Sequence, residues 1–203
     1  MAVSLDKKWM ILKGAIKVFA KRGFHRARTA EVARAASVAE GTIYNYFKGK
    51  DDLLISIFEE VWGDFTRRLR AESSKLDDPA EKMALILDET FNLFENDPAL
   101  AEVFLVELRQ TNKIFSNRPT MVFLDFLELL EETMREGIRK GTYRKDVNLQ
   151  VLRAFLFGGV EGVLLSWLLS QTHPEYKRRK VTFSLKAARE TLLKTFREGM
   201  GAS

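Results

Sequence analysis

Residues 29–53 read Thr29-Ala30-Glu31-Val32-Ala33-Arg34-Ala35-Ala36-Ser37-Val38-Ala39-Glu40-Gly41-Thr42-Ile43-Tyr44-Asn45-Tyr46-Phe47-Lys48-Gly49-Lys50-Asp51-Asp52-Leu53. Thr29 is placed to N-cap a short helix that runs to Ala36, its hydroxyl reaching the free N–H groups of the first turn. Val32, Ala33 and Ala36 give that helix a small-residue inner face. Ser37-Val38-Ala39-Glu40 makes a tight turn, and a second short helix covers roughly Glu40 to Phe47. Ile43 and Phe47, four apart, anchor its inner side. Gly49 breaks it, and Asp51-Asp52 opens a long helix, where acids suit the positive end of the helix dipole.

Two short helices joined by a tight turn outline a helix-turn-helix. The second helix offers short or polar side chains outward, as entry into a major groove requires. Gly41 and Thr42 let the backbone approach a phosphate at the helix start. Tyr44 and Tyr46 supply hydroxyls, and Lys48 and Lys50 supply charge, to a sugar–phosphate strand. Asn45 suits a hydrogen bond to a base edge.

Outward from this stretch, the charge is uneven. Residues 1–50 hold eleven Lys and Arg against three Asp and Glu, a net of +8, whereas the remaining residues carry a net of −3. The whole-chain value of +5 hides that asymmetry, which fits a polyanion-binding module joined to something else. A solvated helix face is the other reading of the same charges. A second basic cluster, Lys177-Arg178-Arg179-Lys180, reads as a solvated loop.

The other periodicities are helical throughout, with no convincing strand alternation. A first helix spans about 6–22, with Trp9, Leu12, Ile16 and Phe19 on one stripe and Gly23 as its C-terminal stop. The helix opened by Asp51-Asp52 extends to about Ser73. Further helices are predicted at about 79–95, 98–112, 118–139, 148–171 and 182–199, separated by Asp77-Asp78-Pro79, Asn96-Asp97-Pro98, Asn117-Arg118-Pro119, Gly141 to Asp146 and His173-Pro174. The expected fold is all-α: an N-terminal three-helix head at 1–53, joined through a long helix to a larger helical domain at 54–203.

Composition narrows the chemistry. The 203 residues are 46% hydrophobic and include no cysteine, so a sizeable core is available and thiol, disulfide and iron–sulfur chemistry is excluded. The two histidines, His25 and His173, are too far apart for a local metal motif. Adjacent acids such as Glu131-Glu132 point to different helix faces. No metal-ligand or phosphate-loop motif is present, and an enzyme is not expected. The longest apolar run, around 155–169, is broken by Gly158, Gly159, Glu161, Gly162 and Ser166. A membrane span is therefore not expected, nor is a signal peptide, and the reading is a cytoplasmic protein.

Three features of the larger domain bear on a ligand. Its helices are rich in Phe (Phe91, Phe94, Phe104, Phe115, Phe123, Phe126, Phe155, Phe157), which plain core also explains. Gly158, Gly159 and Gly162 interrupt a strong helix at a cost of roughly 1 kcal/mol each against Ala, so a ligand or a second subunit must come close there. Arg109, Asn112, Lys113 and Arg118 form a polar, cationic mouth suited to an amphipathic ligand with an anionic head. Salt bridges to Glu102, Glu107 or Glu131 are the alternative.

Residues 29–53 resemble the DNA-binding signature of the TetR family of bacterial repressors, the match covering about 8–55. Ser37 stands where the family often has Gly, which costs strain if its φ is positive, and Gly49 where it often has Asn or Ser. The resemblance implies a helical homodimer whose last two long helices pair with their twins, bound to double-stranded operator DNA. It places phosphate contacts on Thr29, Thr42, Tyr44, Tyr46 and Lys50, and base reading on Ala39, Glu40 and Asn45. A ligand that prefers the unbound form releases the DNA.

The string Glu107-Leu108-Arg109-Gln110-Thr111-Asn112, with Phe157-Gly158-Gly159-Val160-Glu161, is similar to FadR-type members, repressors of fatty-acid degradation that respond to long-chain acyl-CoA. That narrower resemblance implies an acyl tunnel lined by some of Leu87, Phe91, Phe94, Phe104, Leu108, Phe123, Phe126, Leu127, Leu130, Phe155, Gly159 and Val163, with CoA phosphates near Arg109 and Asn112. The alternative is a repressor of efflux or other genes that answers a different apolar molecule, with Glu89, Glu107 and Glu161 as acids that face a cationic drug.

Overall fold

In a computed structural model of the chain, the structure describes residues 2–107, 117–179 and 183–201, with the side chains of 2–6, 117–120 and 177 excepted. The elements are α1 (Ala2–Arg22), α2 (Thr29–Ala35), α3 (Glu40–Tyr44), α4 (Lys50–Ile57), a π-helical turn (Phe58–Trp62), α5 (Gly63–Ser73), α6 (Pro79–Asn96), α7 (Pro98–Glu102), a second π-helical turn (Val103–Glu107), α8 (Asn117–Arg139), α9 (Leu149–Thr172), α10 (Pro174–Arg178) and α11 (Leu185–Met200). They form two compact units, residues 1–64 with 97–122 and residues 65–96 with 123–203.

In the first unit α1 carries the core. Ile11, Leu12, Ala15, Ile16 and Phe19 are buried, whereas Trp9, expected on that stripe, lies at the surface. Leu12, Ile16 and Phe19 of the predicted stripe are thus buried, and the buried face widens toward Ile11 and Ala15 rather than Trp9. Gly14 permits α2 to come close: a Cβ there would stand 3.0 Å from the Ala36 Cβ. Gly23 stops α1 at φ 76°, a conformation that glycine adopts without steric cost, and donates its N–H to Phe19 O at 2.8 Å.

The cap of α2 differs from the expectation. Arg28 holds the N-cap position, with extended backbone, and its N–H donates to Glu31 Oε2 at 3.1 Å. Thr29 is the first helical residue, which frees its hydroxyl for another partner. Ser37 does take the left-handed conformation, at φ 55°. Helix α3 ends at Tyr44, and the chain turns through 45–47 to bury Phe47 beside Ile43. The long helix expected over 51–73 is interrupted by a π turn at 58–62. Phe58, Trp62 and Phe104 meet there, with ring centroids 5.2–6.2 Å apart, which draws the two π turns together.

The second unit packs α6 against α9 and α11. Its core includes Phe65, Leu69, Met83, Leu87, Phe91, Phe126, Leu130, Leu164 and Phe196. Asn148 Oδ1 caps α9 by accepting the N–H groups of Gln150 and Val151 at 3.0 and 3.1 Å, and Ser184 Oγ caps α11 through Ala187 N–H at 3.1 Å. Such caps satisfy donors the helix itself cannot. Half-buried ion pairs tie the helices: Lys82–Glu136 at 2.6 Å and Arg153–Glu131 at 2.8 Å. The hydrogen bonds from Lys82 and Lys140 hold the Glu136 carboxyl below its usual pKa. Part of the basic cluster predicted as a loop belongs to α10, where Arg178 is paired with Glu175.

Helix α9 is 24 residues long with a mean hydropathy of 1.6 over its most apolar window, and only 22% of that window is buried. Among the described residues it is the one helix long and apolar enough to cross a membrane. Its exposed positions include Val151 and Phe155, the latter 74% exposed, and there is open space where a Cβ would sit on Gly158 and Gly162.

Candidate functional site

Three of the residues predicted to meet DNA, Thr29, Glu40 and Tyr44, come together in the first unit. Thr29 Oγ1 donates to Glu40 Oε1 at 2.7 Å and lies 3.2 Å from the Tyr44 hydroxyl. One small polar node thus joins the start of α2 to both ends of α3. Ala39 is the extended N-cap of α3. Gly41 is exposed with open space around it, and Thr42 is half-buried. Tyr44 is 56% exposed, and Asn45 follows it, also exposed. Tyr46 is half-buried with its ring 6.4 Å from Phe47. Beneath them Ile43 and Phe47 are sunk in the core. This is a rigid apolar base under a short polar ridge, the form a groove-reading helix needs.

Two lysines at the end of the signature play different parts. Lys48 is exposed, and its N–H donates to Asp52 Oδ2 at 2.9 Å. Lys50 Nζ turns inward to the carbonyls of Phe24 at 2.9 Å and His25 at 2.7 Å, and lies 4.8 Å from the centre of the Phe24 ring. It braces the loop between α1 and α2, a role the sequence did not reveal.

Sequence reasoning also missed a basic cleft beside this node. Lys21, Arg22, Arg26, Arg28, Ala30, Glu31 and Arg34 line an open cleft of about 460 Å³. Five cations face one carboxylate there, and that carboxylate is 3.4 Å from Arg22. The density of basic residues was visible in the charge count. Their convergence needed the fold, since they come from α1, a turn and α2.

The residues assigned to a ligand divide differently. In the second unit Phe91, Phe94, Phe126 and Leu130 are buried, Phe123, Leu127, Gly159 and Val163 are half-buried, and Phe155 is exposed. Phe123 and Phe126 both meet Phe157, with ring centroids 5.0 and 6.5 Å apart, and Phe126 lies 6.5 Å from Phe65. Phe104 belongs to the first unit, against Phe58 and Trp62. Leu108, Arg109 and Asn112, with Lys113 and Phe115, lie outside the described residues, and the side chain of Arg118 does as well. Glu107 is buried and spends a carboxylate oxygen on the Phe24 N–H. Burial first, and the nearby Glu107 charge second, raise the Glu102 carboxyl above its usual pKa.

Comparison with known proteins finds a family match for each part of the chain. Residues 11–57 match the tetR family of bacterial regulatory proteins, and residues 58–185 match the C-terminal region of YsiA-like protein. A fatty acid metabolism regulator protein of Bacillus subtilis (strain 168) is 32% identical over 164 residues, covering 81% of this chain and 84% of that protein. The structure of the fatty acid degradation regulator FadR from Bacillus halodurans superposes with a TM-score of 0.82 at 30% identity, covering 94% of this chain and 97% of that one. The transcriptional regulator FadR from Bacillus subtilis, in complex with stearoyl-CoA, gives a TM-score of 0.83 at 29% identity, covering 94% and 98%. The chain is thus a transcriptional regulator with a DNA-binding helix-turn-helix rather than an enzyme, and it belongs to the TetR family, with a YsiA-like C-terminal region.

Proposed function

We propose that this protein is a homodimeric repressor of fatty-acid degradation genes, released from its operator by long-chain acyl-CoA. The observation that carries this reading is the likeness, over nearly the whole chain, to a FadR that holds stearoyl-CoA. The division of labour follows the sequence reading, with DNA recognition in 1–53 and effector binding and dimerisation in 54–203.

The effector half of the proposal draws on apolar packing. Phe91, Phe94, Phe126 and Leu130 give the second unit an aromatic and aliphatic interior of the type that accepts a long alkyl chain. Each buried methylene of such a chain contributes about 0.8 kcal/mol. Phe155, beyond that interior, is proposed to face the twin subunit. Arg109 and Asn112 are proposed to hold the CoA phosphates through charge-assisted hydrogen bonds.

The dimer half draws on α9. A long apolar face with Val151 and Phe155 exposed, and space over Gly158 and Gly162, is costly in water. A second copy of the same helix covers it with a self-complementary surface, and lipid is not required. A regulator of operator DNA works in the cytoplasm, where the chromosome lies.

The test is a calorimetric titration with palmitoyl-CoA, with free CoA and palmitate as controls. Tight binding of the thioester alone supports the proposal. An operator complex indifferent to palmitoyl-CoA rejects the effector and leaves a regulator that answers another molecule.

A further inference from the structure

Glu107 is 8% exposed, and its Oε2 accepts the backbone N–H of Phe24 at 2.6 Å across 83 residues of sequence. Phe24 sits in the turn that joins α1 to α2. Two backbone bonds close that turn, Gly23 N–H to Phe19 O at 2.8 Å and Ala27 N–H to Gly23 O at 3.1 Å, and neither uses the Phe24 N–H. Lys50 Nζ takes the opposite end of the same residue, through the carbonyl of Phe24 at 2.9 Å and that of His25 at 2.7 Å. A carboxylate on the N–H side and an ammonium on the C=O side complement the backbone dipole, and both bonds are of the stronger, charge-assisted kind.

The two braces come from different places. Lys50 opens α4, which follows the reading helix in sequence. Glu107 closes the π turn at 103–107, a segment that packs along α1 together with α7. Phe104 in that π turn is fixed against Phe58 and Trp62, and π turns recur at functional positions. From Phe24 the chain needs only one short turn to reach Thr29, whose hydroxyl holds Glu40 and Tyr44. A continuous line of hydrogen bonds and that one turn therefore runs from residue 107 to both ends of α3.

We infer that Glu107 is a positioning residue for operator binding: by holding the Phe24 N–H, it makes the seat of the helix-turn-helix depend on the 98–107 segment. The inference rests on the operator-binding reading above and is independent of which effector binds. With the carboxylate removed, the turn keeps its Lys50 brace and its two backbone bonds but loses its tie to the 98–107 segment, and the seat of Thr29 and α3 is held less firmly.

The experiment uses the full chain and a duplex that the wild type enriches from a random-sequence DNA pool. Duplex affinity, thermal midpoint and hydrogen exchange at the Phe24 amide are measured for Glu107→Ala, Glu107→Gln and, as a packing control in the same segment, Leu105→Ala. Glu107→Ala is expected to lose about tenfold in affinity and to exchange the Phe24 amide about tenfold faster. Glu107→Gln, whose amide oxygen still accepts the bond, should stay within about threefold of wild type on both. Leu105→Ala should lower the midpoint and leave affinity unchanged.

Unchanged affinity in Glu107→Ala, or an equal affinity loss in Leu105→Ala, overturns the inference, as does a Gln variant that behaves like Ala. If Glu107→Ala does not fold, the Gln variant and the wild-type Phe24 amide decide; an amide that exchanges as fast as an exposed turn refutes the clamp. A wild type that enriches no duplex overturns the DNA reading itself, and this is seen before any variant is made.

Discussion

Helices α3 and α9 each leave one face uncovered, and the two faces offer opposite chemistry. Helix α3 is five residues long and presents Glu40, Gly41 and Tyr44, with Asn45 just beyond, above a buried Ile43. Helix α9 is 24 residues long and presents Val151, Phe155, Gly158 and Gly162 above buried Leu156, Val160 and Leu164. A short polar face is at ease in water, and its value lies in being held rigid until a hydrated polyanion arrives. A long apolar face is not at ease in water, and it gains free energy only when another apolar face covers it. The lesson is that an uncovered surface is read by its chemistry: the polar face of α3 fits the proposed DNA contact, and the apolar face of α9 fits the proposed pairing with its own copy.

The largest test of this contrast is to charge the apolar face. Phe155→Glu combined with Gly162→Glu should convert the protein to a monomer in sedimentation equilibrium. Operator affinity should fall by about 10²–10⁴-fold, because the two linked reading heads of the proposed dimer become one. A charged variant that remains dimeric would place the interface elsewhere.

Next in size is the polar face. Asn45→Ala should cost about 1–3 kcal/mol of operator affinity and relax preference at one base pair, measured by binding to a panel of single-base operator variants. Uniform weakening across that panel would make Asn45 a backbone contact instead.

A smaller effect concerns the basic cleft next to Thr29. Arg26→Ala with Arg34→Ala should flatten the dependence of log affinity on log salt by about 0.9 for each phosphate no longer neutralised. Sequence preference should stay as it is. An unchanged slope would take the cleft out of the DNA interface.

The smallest test sharpens the turn that separates α2 from α3. Ser37 holds φ 55°, where a side chain is strained by roughly 1 kcal/mol or more. Ser37→Gly should raise the thermal midpoint by a few degrees, corresponding to about 1 kcal/mol or less once the extra chain entropy of glycine is offset. A fall in the midpoint would mean that the serine side chain makes an interaction worth more than the strain.

Much of the reading head was legible because its signals are local. Ile43 and Phe47 lie one helical turn apart, Gly23 ends α1, and the Asp-Pro and Asn-Asp-Pro breaks mark real helix starts at Pro79 and Pro98. The misses share one cause. Thr29 suits an N-cap by type, yet Arg28 occupies that position and the Thr29 hydroxyl serves Glu40 and Tyr44. Trp9 fits a periodic stripe, yet the neighbouring helices cover Ile11 and Ala15 instead. The π turn at 58–62 leaves no local mark in an otherwise helical pattern, and it is stabilised by Phe104, far away in sequence.

The sequence by itself determined the all-helical class, the helix-turn-helix and the basic charge of its front, since helical period, turn residues and charge act over a few neighbouring positions. Only the tertiary structure decided where long-range partners meet. It turned Lys50 onto backbone carbonyls, converged four arginines and a lysine on one cleft, and buried Glu107 against Phe24. Those choices follow from the free energy of covering apolar surface and satisfying buried polar groups across the whole chain, which no local window of residues contains.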